Sequence, residues 1–234
     1  MRLELAERLR CPGAHAPTPL IVVAQETRER VLRRAIVGCA VCGLEARIVA
    51  GALTFPDGLV VAGAEGAPAA DLRGAATAVG DLRAGAAPPA EVDAAALERL
   101  VALLHLDAPG GAVLLAGGYA RFAAALEASH DVHVVVLASA HDTRDDTRDD
   151  TRDGTPSIPF TDATFRAAAV EVMPPTLLGD LPRVVTPGGR IVAVAGTEPP
   201  AGARVLARDE QEWVAESAGG AGGMVTLQRL KGDG

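Results

Sequence analysis

Three cysteines and one histidine carry the most legible chemistry in this sequence. Cys39 and Cys42 stand in GCAVCG, a CxxC knuckle that lets two thiolates reach one tetrahedral ion while the following glycine permits a tight turn. Cys11 is followed by Pro12 and, four positions along, by His15. The set therefore reads Cys11-x3-His15 … Cys39-x2-Cys42, with 23 residues between its halves. Thiolate and imidazole together suit zinc, and four protein ligands leave no coordination position open for water, so the expected site is structural. The competing reading makes Cys39 and Cys42 a redox pair or inert core thiols. An odd number of cysteines is a poor basis for a disulfide framework and places the chain, by expectation, in a reducing compartment, the cytoplasm.

Other reactive groups offer less. The single lysine, Lys231, leaves Schiff-base chemistry almost without a candidate. His105 falls on an expected helix, while His130, His133 and His141 flank an expected strand. No serine or cysteine sits in a nucleophile-elbow context, so no catalytic residue is assigned. A net charge of −8 argues against a protein devoted to a phosphate backbone, and 3% aromatic residues against a base-stacking surface. No apolar run is long enough to span a bilayer, and MRLELAERLRCPG lacks the apolar stretch of a signal peptide.

The elements that must position these groups divide the 234 residues into three parts. Residues 1–60 hold the cysteines and two strand-like runs, 20–24 and 46–53, in a small β-rich module. The intervening AQETRERVLRRA, with Arg28, Arg30, Arg33 and Arg34, reads as a solvated helical excursion. Residues 61–90 are an Ala/Gly/Pro-rich linker. Residues 91–234 open with a helix whose Leu97, Leu100, Val101 and Leu104 share one face, then alternate buried strands (AVLLAG, DVHVVVLAS) with helices. A charged DTRD repeat occupies 142–153. Helices are expected at about 162–173 and 176–185, followed by a TPGG turn and the strand RIVAVAG. RVLAR and MVTLQRL, separated by GGAGG, read as a closing antiparallel hairpin. The expected architecture is a Rossmann-like, doubly wound, mostly parallel α/β sheet with that hairpin, preceded by the small β-rich zinc ribbon.

Two resemblances follow from these motifs. LAERLRCPGAHAPTPL and GCAVCGLEARIVAGALTF resemble, over about fifty residues, the short zinc ribbons attached to or partnering methyltransferases; Ala14 stands where their second cysteine would be, and His15 must reach one residue further. Residues 95–230 resemble a class I S-adenosylmethionine-dependent methyltransferase, most clearly in LPRVVTPGGRIVAV and IPFTDATF. That resemblance implies a cofactor turn at Gly117, Gly118 and Tyr119, a ribose-binding position at Leu137 and an adenine-proximal acid at Asp153. The family's acids are altered, however. The leading carboxylate of the glycine turn has become Leu114 or Leu115, the ribose-binding acid is Leu137, and the aspartate after Phe165 is Arg166. Two functions are consistent with this pattern: a protein-binding or structural subunit that has lost conventional cofactor binding, and an active methyltransferase with a divergent site, acting on a small molecule in preference to ribosomal RNA.

Overall fold

A tight reversal at Glu29 and Arg30 sets the N-terminal architecture. Both residues take positive φ, 50° and 64°, the two-residue geometry that matches the twist of a hairpin. A computed structural model describes residues 1–63, 92–139 and 157–219 of the chain. In it a short helix α1 (Leu3–Ala6) precedes β1 (Ile21–Arg28), and the reversal returns the chain as β2 (Val31–Gly38). The pairing is antiparallel, from Ile21↔Gly38 to Arg28↔Val31. The arginine-rich stretch is thus a hairpin and not a helical excursion. From Arg34 to Val37 outward and buried residues alternate with the two-residue period of a strand, Ala35 and Val37 inward and Arg34 and Ile36 outward, whereas buried Leu32 stands out of phase beyond an irregularity in the register that leaves Arg33 without a partner in β1. β3 (Glu45–Val49), β4 (Ala52–Thr54) and β5 (Leu59–Gly63) extend the meander antiparallel.

The leucine-faced helix forms as α2 (Ala94–Leu104). The Asp93 side chain caps it by accepting from the Ala95 N–H at 3.0 Å, and His105 ends it in a left-handed conformation. β6 (Ala112–Ala116) follows and leads into a 3-10 turn (Gly117–Phe122). Next come α3 (Ala123–Ser129), β7 (His133–Ser139), β8 (Phe165–Val170), α4 (Pro175–Val184), β9 (Val185–Val194), β10 (Ala203–Arg208) and β11 (Glu212–Ser217).

The doubly wound, mostly parallel sheet expected from sequence does not form. Among the described residues, eleven strands make one mixed sheet in the order β1-β2-β3-β4-β5-β7-β6-β8-β9-β11-β10. Of these strand pairings β6·β7, β6·β8 and β8·β9 are parallel, and the other seven are antiparallel. The physical reason is the edge of β7. β5 hydrogen-bonds to it antiparallel, from Leu59↔Ser139 to Gly63↔Val135, so the N-terminal meander continues the sheet instead of standing apart. Residues 165–170, expected within a helix, are β8. Its alanines are helix formers, but Ala167, Ala168 and Ala169 are all fully buried between β6 and β9, and burial on both faces overrides propensity. The closing hairpin also differs: β10 pairs with β11, from Ala203↔Ser217 to Arg208↔Trp213, and MVTLQRL lies outside the described residues. The DTRD repeat and most of the 61–90 linker lie outside them as well.

Two apolar layers flank the sheet. On one face, Leu100 and Leu104 of α2 and Leu126 of α3 share a buried cluster with Val113, Leu115, Val134, Val136 and Val192. On the other, Leu177, Leu181 and Val184 of α4 belong to a cluster that runs without a break into Leu9, Leu32, Ile48, Leu53, Ile158 and Phe160. No helix among the described residues is long and apolar enough to cross a membrane.

Candidate metal centre

The hairpin register brings the two halves of the Cys/His set together. Gly38, opposite Ile21, delivers Cys39 beside the turn that holds His15 and Thr18. One ligand atom each from Cys11, His15, Cys39 and Cys42 lies within 4.8 Å of the others. Cys11 Sγ and Cys42 Sγ are 3.6 Å apart, and Cys39 Sγ lies 3.4 Å from His15 Nε2. Bond lengths of about 2.3 Å to sulfur and about 2.05 Å to nitrogen give tetrahedral edges of about 3.8 and 3.6 Å. The cluster is therefore compatible with a zinc site.

Local backbone prepares each ligand. In the second knuckle the Gly43 N–H donates to the Cys39 carbonyl at 3.0 Å, and Gly43 takes φ +70°, where a side chain would be strained. In the first, the Gly13 N–H donates to Cys11 Sγ at 3.4 Å. His15 Nδ1 donates to the Ala16 carbonyl at 2.8 Å, which leaves the Nε2 lone pair facing Cys39. Cys11 and Cys39 are buried and Cys42 is exposed.

The ionisation of the set is uneven. Burial pushes the Cys11 thiol up to about 12, outweighing the Gly13 N–H that favours its thiolate. Burial acts the same way on Cys39, but the backbone N–H groups of Cys42 and Val41, with the neighbouring thiols, overcome it and hold that thiol down to about 6. The Ala16 carbonyl, followed by the Cys42 sulfur, raises His15 by favouring its protonated form. Before a metal enters, Cys39 therefore favours its thiolate form more than Cys11 does, and binding at Cys11 must displace a proton.

The residues singled out by the methyltransferase resemblance occupy a second place, at the carboxyl ends of β6 and β7. Gly117 has φ +63°, and a Cβ on it would fall 2.9 Å from the Val172 backbone nitrogen. A Cβ on Gly118 would meet the Glu171 carboxylate, whose Cδ would lie only 2.8 Å away. Glycine is required at 117 by its positive φ and by the backbone that follows β8, whereas Gly118 faces only the exposed end of the Glu171 side chain. Tyr119 turns aside and donates its hydroxyl to Glu212 Oε2 at 3.1 Å; burial, with Glu212 and Glu171 beside it, pushes its phenol up. Leu137 is buried, opposite Val61 of β5 and Ala116 of β6. Asp153 lies outside the described residues. In this arrangement the Glu171 carboxylate lies beside the turn, and the Leu137 side chain offers no acceptor for a ribose hydroxyl.

Two arginines have structural roles that sequence reasoning did not assign. Arg166 donates to the carbonyls of Gly110 at 2.9 Å and His105 at 3.2 Å, and also to that of Ala108, tying the end of α2 and the loop after it to β8. Arg183, inside LPRVV, grips Asp180 through two bonds of 2.5 Å and reaches the carbonyls of Phe160 (2.7 Å) and Ile158 (2.9 Å) and Asp162 Oδ1 (3.0 Å). The one available signal was an arginine three residues after Asp180, a spacing that brings the two side chains together on a helix. No known family's model matches the chain, and no curated protein matches it.

Proposed function

We propose that the protein is a zinc-stapled, non-catalytic subunit that works by binding a protein partner, with zinc held by Cys11, His15, Cys39 and Cys42 in a structural role. The observation that carries this reading is that four donor atoms lie within 4.8 Å of one another, with the Cys11–Cys42 and Cys39–His15 pairs at 3.6 and 3.4 Å, close to tetrahedral edges. The metal joins two loops that the hairpin alone would leave loosely tied.

Three features support the non-catalytic half. Glu171 lies beside the glycine turn, and Leu137 offers no acceptor. The residues that carry the methyltransferase resemblance are engaged in packing: Gly189 has only 2.6 Å between its Cβ position and Val185 Cγ1, and Arg183 is committed to its clamp. The partner-facing candidate is the outer side of the N-terminal strands, where Ile21 (57% exposed), Val23 (56%) and Val49 (61%) stand in water.

Metal analysis of protein purified without chelator tests the zinc reading, with one equivalent expected and less than about half an equivalent overturning it. Calorimetric titration with S-adenosylmethionine tests the other half: a Kd tighter than about 100 μM would show that the cofactor site survives.

A further inference from the structure

We propose that metal loading and the docking of residues 157–162 are coupled, so that filling the four-ligand site fixes this strap and, through Arg183, helix α4. The coupling rests on the zinc reading above, but it concerns a part of the chain that supplies no ligand.

The ligand-bearing stretch at residues 8–12 is bonded on both sides. Toward the metal, the Cys11 N–H donates to the Thr18 carbonyl at 2.9 Å, and the Leu20 N–H to the Leu9 carbonyl at 3.1 Å. Toward the strap, the Arg10 N–H donates to the Pro159 carbonyl at 3.2 Å and the Thr161 N–H to the Arg8 carbonyl at 2.8 Å, while Leu9 bridges to Phe160. Ser157 Oγ donates to the Pro12 carbonyl at 3.5 Å. Fixing Cys11 on a metal therefore fixes the backbone against which the strap is zippered.

The far side of the strap is held by α4. The Ile158 N–H donates to Asp180 at 2.7 Å, and Arg183 takes the Ile158 and Phe160 carbonyls. Asp162 joins the two sides, because its Oδ1 accepts from Arg183 at 3.0 Å and from Arg10 at 3.4 Å. Ile158 and Phe160 are fully buried, so the strap is docked by its side chains as well as by these bonds. The strap itself adopts neither helix nor extended strand, and lacks a ladder of its own to keep it in place. A segment held mainly through its neighbours follows whatever rigidifies them. By linkage the effect is reciprocal: a docked strap preorganises Cys11 and tightens metal binding.

Hydrogen exchange on the full chain, before and after zinc removal by a chelator, tests the coupling. The amides of Arg10, Ile158 and Thr161 should exchange at least about tenfold faster without metal, while those of Leu114 and Ala168 in the central strands stay protected. Unchanged rates at Arg10 and Thr161 after confirmed metal loss would overturn the coupling, and so would equal acceleration at every amide, which would mean that the metal holds the whole fold. Protein that binds no zinc at all removes the zinc reading itself, a separate outcome. In a competitive zinc titration, Asp162→Ala should raise the Kd about fivefold although Asp162 is no ligand. A Kd within experimental scatter of the parent would count against the coupling.

Discussion

Stripping the metal should destabilise the fold by at least the loop-closure entropy that the metal removes from the unfolded chain. The tie between Cys11 and Cys42 spans 31 residues. Treated like a disulfide across the same span, it restricts the unfolded ensemble by about 12 cal/mol/K, or about 3.7 kcal/mol at 25 °C. For a chain of this size each kcal/mol moves the melting temperature by about 2–4 °C, so chelation should lower it by about 7–15 °C. Calorimetric melts of zinc-loaded and chelator-treated protein measure this difference. Cys42→Ser is the informative variant because Cys42 is exposed, so serine disturbs little packing while removing one ligand. It should shrink the gap to less than half. If protein carrying a full equivalent of zinc melts within about 2 °C of the chelated form, the metal is not the staple described here.

The remaining predictions concern the clamp, the helix end and pH. Arg183→Ala leaves the carbonyls of Ile158 and Phe160 and the Asp180 carboxylate short of partners, and should lower stability in urea by about 3–5 kcal/mol. Arg47→Ala, which removes an exposed pair with Glu45, should change it by less than about 0.5 kcal/mol. Arg166→Ala should cost about 1–2 kcal/mol and speed amide exchange in the loop at residues 105–111, since one carbonyl at the end of α2 and two in that loop lose their donor. Zinc affinity should rise with pH, because protons compete for Cys11 and His15, at about tenfold per pH unit for each displaced proton. Below about pH 6 Cys39 also takes a proton, so a competitive titration should show the slope steepening there.

The ligand set was legible because its determinants are local. CxxC spacing, a glycine after the second cysteine and a histidine four residues past the first are properties of short stretches, and pairing β1 with β2 only had to bring those stretches together. Helix α2 was legible for the same reason: its leucines recur at helical spacing, and Asp93 stands at its start. The strands β6 and β7 were visible as continuous apolar runs.

The rest depended on neighbours distant in sequence. FRAAAV has helix-forming alanines and a single arginine, and it became β8 because β6 and β9 cover both its edges. The arginine-rich stretch looked solvated because its charges are dense, and its two buried residues, Leu32 and Ala35, are out of phase for a strand because the register is irregular between them, so only pairing with β1 and β3 reveals the strand. Arg166 appeared as a lost aspartate; it ties β8 to the end of a helix some sixty residues earlier.

Sequence by itself therefore determined which side chains can bind a metal and which segments bury an apolar face, since both follow from residue type and short-range spacing. Tertiary structure alone decided that β5 would join β7, making one mixed and mostly antiparallel sheet, and that Glu171 would lie beside the glycine turn. It also decided that the metal knuckle would be zippered to residues 157–162. Those outcomes turn on which free strand edge meets which, and on contacts between residues from about fifty to about a hundred and fifty positions apart, and neither leaves a periodic trace in the local sequence.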